Sequence, residues 1–333
     1  MRIVKAEILW TRVCDLSCHY CAMVDGRTNI PSLQEWKLGV DELKRLGCQF
    51  IAFYGAEPLK DQVEKLAEVI AYAENSGIAT TVITSGLVKD FRSKLELLYS
   101  HGARSLSMSY DIVPLDRYSE KKSRHTIDSL LFFRSLGLVR DVAAIVTLTR
   151  HNFRELPSTI IRLSNLGIWA FFDFIHWDRG QPGTKCKERD PSLSFTREDL
   201  LDLSDILCKV VELKTQEYLC HTSTPFIEMM SRDEFSLLLR YDWNCAKEKG
   251  FPAWVTIDCD GYVYCCDDFQ SRPTKPFSML KISSEWEEFS QYWQQQVLSI
   301  CPGCCWNTHI DACLVKQGRV SINDYIHGRD SVR

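Results

Sequence analysis

Six times between Arg2 and Ile175, a short apolar run rich in β-branched and aromatic residues is followed by a longer segment with apolar residues at three- and four-residue spacing. That alternation predicts parallel strands joined by helices, because a parallel pair needs a crossover long enough to hold a helix. The expected strands are Ile3 to Trp10, Phe50 to Tyr54, Ala79 to Thr84, Ser105 to Tyr110, Val142 to Leu148 and Trp169 to Ile175. The expected helices are Leu33 to Leu46, Gln62 to Ser76, Val88 to Ser100, His125 to Leu136 and Phe153 to Leu166. Gly47, Gly77, Gly102, Gly137 and Gly167 follow them, where a left-handed residue closes the last turn.

The cadence stops after Ile175. His176 to Ser194 is rich in Gly, Pro, Lys and Asp and reads as a loop. A helix starting after Ser194 or Thr196 then runs to about Leu213, with Thr196 as its N-cap and acids in its first turn. This predicts a first domain over residues 1–215 and a smaller, cysteine-rich domain over 216–333. In the second, Trp254 to Asp258 and Tyr262 to Cys266 flank a Cys-Asp-Gly turn and form a β-hairpin, followed by a helix from Trp286 to Leu298 leading into Cys301.

Composition narrows the class. No apolar run reaches the eighteen or so residues of a membrane span. The N-terminus has no long apolar segment ending in small residues, so no secretory signal is read and the expected location is cytoplasmic. Net charge is −4, with no basic run interleaved with aromatics, which argues against nucleic acid and for a small molecule or a peptide as partner.

Cysteine is the outlier, with 15 in 333 residues. A chain of this length needs no disulfide staples, and thiols at such density in a reducing compartment bind metal. Three lie between Cys14 and Cys21 and eight between Cys245 and Cys313, which predicts two metal sites at opposite ends of the sequence.

Cys14, Cys18 and Cys21 form CxxxCxxC on the loop after the first strand. Three thiolates at this spacing hold three irons of a 4Fe-4S cube and leave the fourth open. The competing reading, a structural zinc site completed by His19, is disfavoured because zinc sites favour pairs of CxxC.

With these residues the chain resembles the radical S-adenosylmethionine (SAM) superfamily. Tyr20 matches the aromatic that precedes the family's third cysteine and packs near the adenine. Tyr54-Gly55-Ala56-Glu57-Pro58 is similar to the family's GGEP segment beside the cofactor's amino group, with Ala56 in place of the second glycine. Thr84-Ser85-Gly86 resembles its TNG, and Ser107, Ser109 and Asp111 stand where ribose and carboxylate contacts come. Asn152 and Glu155 resemble an Asn-x-x-Glu segment after the fifth strand. Each alone is also an ordinary turn residue. Together they mark the C-terminal ends of successive strands, where parallel α/β barrels carry their sites. The resemblance covers roughly residues 1–215 and implies a partial (βα)6 TIM-like barrel with a 4Fe-4S cluster and SAM as cofactors.

Cys245, Cys266, Cys301 and Cys304 have a C-x(20)-C, gap, CxxC spacing that resembles the Twitch form of the SPASM/Twitch extension, which implies one auxiliary 4Fe-4S cluster. Cys259, Cys265, Cys305 and Cys313 adjoin these positions, so the ligand set stays open, as does a zinc knuckle made from the same residues. Four protein ligands would make the cluster an electron conduit or an anchor; three would leave an iron for substrate.

The remaining thiols are ordinarily packing residues. Some radical epimerases, however, return a hydrogen atom from a cysteine, and the candidates here are Cys186, Cys220 and Cys313. Cys48 and Cys208 read as strand-edge or helix-core residues.

The family's chemistry then implies one-electron reduction of the first cluster by a flavodoxin- or ferredoxin-type donor, cleavage of SAM to a 5′-deoxyadenosyl radical, and abstraction of a substrate hydrogen. Only 13 residues precede Cys14 and 20 follow Cys313, too few for a leader-binding domain. The expected outcome is therefore epimerisation or oxidation of a small biosynthetic metabolite such as a sugar, aminocyclitol or nucleoside. The alternatives are epimerisation or crosslinking of a ribosomal peptide, and a non-enzymatic iron-sulfur electron carrier or zinc scaffold. Trp169, Phe171, Phe172, Phe174 and Trp177 allow a ligand-stacking wall, although alternating aromatics on a strand ordinarily fill a core. The molybdenum-cofactor GTP cyclases have similar length, but their C-terminal three-cysteine spacing and terminal Gly-Gly are absent here.

Overall fold

The structure is a computed structural model that describes residues 2–18, 20–112, 119–176, 190–232, 252–266, 276–297 and 306–327. Its centre is an arc of six parallel strands: β1 (Lys5–Thr11), β2 (Phe50–Gly55), β3 (Ala79–Thr84), β4 (Ser105–Ser109), β5 (Asp141–Leu148) and β6 (Trp169–Phe174). Each pairs in parallel with the next. The crossovers run through α1 (Leu33–Leu46), α2 (Val63–Asn75), α3 (Phe91–Ser100), α4 (Ser119–Ser135) and α5 (Leu156–Asn165). This is the partial (βα)6 barrel that the resemblance implied, and the five expected glycines all take positive φ.

Alternation along the strands separates two environments. Ala6, Ile8 and Trp10, Ile51 and Phe53, and Phe172 and Phe174 point outward and are buried beneath the helices. A fully buried side chain of this size contributes about 1.5–3 kcal/mol. The intervening residues face the barrel axis, and several are polar: Lys5, Glu7, Thr81, Ser107, Asp141 and Asp173. The aromatic run on β6 is divided by the same rule, with Phe172 and Phe174 in the core and Phe171 on the axis.

α1 begins with a capping box between Ser32 and Glu35. α5 starts later than its apolar period suggests, because a 3-10 turn at Phe153–Glu155 precedes it and Pro157 occupies its first turn. After β6, α6 (Arg197–Thr215) opens on Thr196, whose backbone N–H and hydroxyl both donate to Asp199, and α7 (Thr224–Met230) follows. Cys48 is buried as expected, whereas Cys208 lies exposed on α6, the face of the helix turned from its packing stripe.

The C-terminal hairpin, β7 (Trp254–Ile257) and β8 (Tyr262–Tyr264), does not stand apart from the barrel. β7 pairs in parallel with β1, Glu7 opposite Thr256, and β9 (Phe277–Ser278) extends the sheet beyond β8. Residues after 216 thus share one nine-stranded sheet with the first unit. The expected helix from Trp286 is α8 (Trp286–Tyr292), continued by a π turn over Trp293–Val297.

Two further helices, α9 (Asn307–Lys316) and α10 (Ile322–His327), complete the barrel. Strands β1 and β6 do not pair with each other, and α9 spans the gap between them. Asn307 Nδ2 donates to the carbonyl of Phe172 on β6 at 3.0 Å, and His309 Nε2 lies 3.3 Å from Glu7 Oε2 on β1. The His309 ring also stacks on Trp254 of β7, with centroids 4.3 Å apart.

Candidate active site

The three cysteines lie on the loop that leaves the C-terminal end of β1, all half-buried and none in a disulfide. The backbone N–H of Leu16 donates to Cys14 Sγ at 3.3 Å, that of Met23 to Cys21 Sγ at 3.5 Å, and that of Cys21 to the Cys18 carbonyl at 3.2 Å. Amide donors aimed at sulfur stabilise the thiolate form and tune iron-sulfur clusters. Partial burial raises the Cys14 thiol pKa, with nearby Glu57 and Cys21 adding to the rise. A bound cation reverses that balance, because a coordinating thiol is deprotonated outright. Among the described residues no three His, Cys, Asp or Glu side chains are gathered to hold a single ion. A cube asks for something different, since each of its thiolates sits on its own iron. Three thiols on one short loop, two with amide donors to sulfur, fit a cluster with an open fourth iron.

The loop rests on the end of β2. Gly55 takes φ +139°, and a Cβ there would stand 2.4 Å from the Thr11 carbonyl oxygen. Only glycine meets both demands. Gly55→Ala is therefore expected to lower stability by about 2–3 kcal/mol. It should also weaken SAM binding; a urea melt and calorimetric titration on the same preparation check both, and an unchanged melt refutes the strain.

Ala56, the departure from the family pattern, donates its N–H to Thr11 O at 2.9 Å. Glu57 is buried, and its carboxylate accepts from the Thr84 and Ser85 hydroxyls, Ser85 N at 2.9 Å and Leu59 N at 3.2 Å. Glu57 and Ser85 thus tie the ends of β2 and β3 together, and what this segment presents to a ligand is its backbone.

The other positions read from the sequence separate into two groups. Tyr20 O–H donates to Asp111 Oδ1 at 3.3 Å across the mouth of the barrel. Burial, then Asp111, push the phenol pKa far up, so Tyr20 acts as a neutral donor. Asn152 is a clasp for its own turn, accepting Thr149 N and donating to Thr147 O, both at 2.8 Å, and Glu155 is exposed. Ser107 lies deeper in the barrel, 3.4 Å from the Thr81 hydroxyl, and the Ser109 carbonyl accepts from Thr126.

A cavity of about 290 Å³ opens at these strand ends, with Tyr20, Cys21 and Met23 on one side and Asp173, His176 and Trp306 on the other. Its walls are mostly apolar, with Tyr54, Ile83, Ile145 and Phe171 among them. The His176 ring stacks flat on Trp306, centroids 3.8 Å apart and planes within 8°, with Asp173 Oδ1 3.5 Å from its Nε2. Glu7 forms the floor, paired with Lys5 and His309. Beneath it a smaller chamber of about 90 Å³ is lined by Thr81, Ser107, Asp141 and His221 and closed by Tyr325 and Ile326 of α10.

Glu7, Asp173, His176 and Trp306 were not read from the sequence. The available signal was Lys5 and Glu7, two charges spaced two apart in an otherwise apolar strand, which marks the axis-facing register of β1.

Of the proposed C-terminal ligands, Cys266 is buried beside β8, while Cys245, Cys301 and Cys304 lie outside the described residues, with Cys305, Cys186, Trp177 and His19. Cys259 is buried in the hairpin turn, and burial pushes its thiol up to about 12. Cys265 is buried and its pKa lies well above the usual range for the same reason. Cys220 and Cys313 are packed in the core at 1% and 0% exposure, and neither is among the residues lining the cavity.

Residues 8–163 match the model of the radical SAM superfamily. This chain carries a radical SAM domain. Its cofactors are accordingly a 4Fe-4S cluster and SAM. A GTP 3′,8-cyclase of Synechocystis is 29% identical over 181 residues, 53% of this chain and 50% of that protein. A PqqA peptide cyclase of Bradyrhizobium diazoefficiens is 28% identical over 158 residues, 45% of this chain and 40% of that protein. The chain thus matches half or less of the length of these curated relatives. SuiB of Streptococcus suis, solved with SAM bound, superposes with a TM-score of 0.65 at 17% identity, over 91% of this chain and 73% of that one. SuiB has also been solved bound to its precursor peptide SuiA, and that form superposes with a TM-score of 0.61 at 16% identity, over 89% of this chain and 65% of that one. Among the described residues, no helix is long and apolar enough to cross a membrane.

Proposed function

We propose that this chain modifies a peptide by radical chemistry begun at Cys14, Cys18 and Cys21. The observation that carries the reading is the mostly apolar cavity of about 290 Å³ that Cys21 helps to line. A peptide partner is favoured over the small metabolite first expected, because a PqqA peptide cyclase is among the relatives and SuiB, of similar fold, binds a precursor peptide.

When bound, the cluster and SAM supply a carbon radical that takes a hydrogen atom from the substrate. The protein's own residues do the rest. The three thiols would hold the cluster, and the backbone of Tyr54 to Ala56, with Tyr20 oriented by Asp111, would help to hold the cofactor. The apolar walls exclude water, and the Asp173 and His176 pair offers a place for a proton leaving the substrate. Ser107, Ser109 and Asn152 act in this reading through the strand ends they shape.

Cys245, Cys266, Cys301 and Cys304 are the proposed ligands of one auxiliary 4Fe-4S cluster of Twitch type in residues 216–333, after a barrel ending near 215. A flavodoxin- or ferredoxin-type protein is the proposed electron donor. The outcome is epimerisation, with Cys186 as the candidate hydrogen donor in place of Cys220 and Cys313, which do not line the cavity, or oxidative crosslinking.

Anaerobic incubation with candidate peptides and with metabolite pools in deuterated water, read by mass spectrometry, tests the proposal. A peptide that gains roughly one mass unit has been epimerised, and one that loses about two has been oxidised or crosslinked. Turnover confined to the metabolite pool would overturn the peptide reading.

A further inference from the structure

We propose that Asp258, in the turn of the C-terminal hairpin, is a positioning residue for the first cysteine loop and acts through Arg12. The two side chains are each 1% exposed. Arg12 Nε donates to Asp258 Oδ1 and Arg12 Nη2 to Oδ2, both at 3.1 Å, the two-pronged geometry that fixes direction as well as distance. Arg12 stands two residues before Cys14, and its partner is 246 residues away in sequence.

The backbone makes this pair the base of the loop. Arg12 N donates to Arg27 O at 2.8 Å, and Asp25 N and Gly26 N return to Arg12 O at 3.2 and 3.1 Å, so the segment carrying all three thiols is closed on Arg12 and Arg27. Arg27 is itself 3.1 Å from Asp258 Oδ2 and 3.1 Å from Asp260 Oδ2. Beyond the loop, Ile30 N donates to the Cys259 carbonyl at 2.8 Å. Asp258 has little freedom to follow a shifted loop. Its N–H donates to Tyr262 O at 2.9 Å, its Oδ1 also accepts from Cys259 N at 2.8 Å, and β7 is locked to β1 by the parallel ladder.

Arginine does not shed its proton in a protein. Without Asp258, Arg12 loses its two-pronged partner, and among the described residues the nearest remaining carboxylate is Asp25 at 3.6 Å. The contact that fixes the direction of Arg12 is then gone, and the loop closed on Arg12 is free to shift. The β1–β7 ladder does not depend on this pair, so the sheet should persist while the loop shifts. The first cluster's site is on this view completed by a residue outside the segment that matches the family. The inference rests on the radical SAM domain and stands whatever the substrate.

The test uses the full chain as Asp258→Ala, Asp258→Asn and Arg12→Lys. Hydrogen exchange on the metal-free protein compares the loop from Arg12 to Ile30 with strands β2 and β3. Electron paramagnetic resonance on the reconstituted, reduced protein measures the change in the cluster signal on adding SAM. For Asp258→Ala, loop amides should exchange at least about tenfold faster with β2 and β3 unchanged, and the SAM-dependent signal change should fall about tenfold. Asp258→Asn, which keeps the shape and one acceptor, should lie between Ala and the parent, as should Arg12→Lys. Parental loop exchange with a parental SAM response overturns the proposal, and so does faster exchange spread equally over loop and strands. If Asp258→Ala does not fold, the same two outcomes are read from Asp258→Asn.

Discussion

Cys18→Ala should reduce formation of 5′-deoxyadenosine from SAM to background while leaving the melting temperature within about 2 °C of the parent. The thiol is half-exposed on a loop outside the core, so its loss removes little packing. Its loss to the cluster is different in kind. The open iron exists because three thiolates hold the other three, and two thiolates leave a cube without the frame that presents one vacant corner. Reconstituted iron should fall by roughly four per chain. Cys208→Ser, exposed on α6 and remote in sequence from both cysteine groups, serves as the control and should keep iron, turnover and melting temperature. Deoxyadenosine formed at the parental rate by Cys18→Ala would refute the assignment of the three thiols to the radical-generating cluster.

The barrel was legible in the sequence because its signals are local. A strand buried beneath helices reads as an apolar run, and each helix stop carried its own glycine, so strand boundaries agree within two residues from β1 to β6. What escaped were elements whose reason is tertiary. α9 has Asn307, His309 and Asp311 buried among its apolar residues, which blurs any amphipathic stripe. They are buried because they meet polar groups on β6, β1 and the start of α7. The place of β7 beside β1 was equally hidden, since a four-residue apolar strand carries no mark of its neighbour.

The site divides along the same line. The three cysteines, Tyr20 and Gly55 were readable because spacing and backbone demand leave a trace in the chain. Asn152 and Glu57 were readable as positions, but their side chains serve the strand ends, a distinction that only hydrogen-bond partners reveal. Trp306 meets Asp173 and His176 from at least 130 residues away, and no spacing rule joins it to them.

Glu7→Ala is the substitution expected to cost the most stability, about 3–5 kcal/mol, because it strands Lys5 and His309 in the barrel without their carboxylate. Glu7→Gln separates charge from shape. Burial alone would raise the Glu7 pKa, but the opposing attraction of Lys5 and the bond and charge of His309 outweigh it and hold the carboxyl well below the usual range. In the unfolded chain the same group titrates near about 4.3. A lowered folded pKa contributes stability that is present above that value and is lost as pH falls toward the folded pKa. Urea melts at pH 7, 5 and 3 should therefore show the parent losing stability chiefly below about pH 4.3, with Glu7→Gln less stable at pH 7 and flatter in acid. A variant with parental stability at pH 7 and the parental acid slope would refute the pairing. The functional consequence follows from position. Glu7 floors the cavity and holds α9, the helix that bears Thr308 and His309 and begins next to Trp306. Loss of its charge should loosen the Trp306 and His176 stack at the mouth, so that turnover in Glu7→Gln falls even at pH 7, where the protein remains folded.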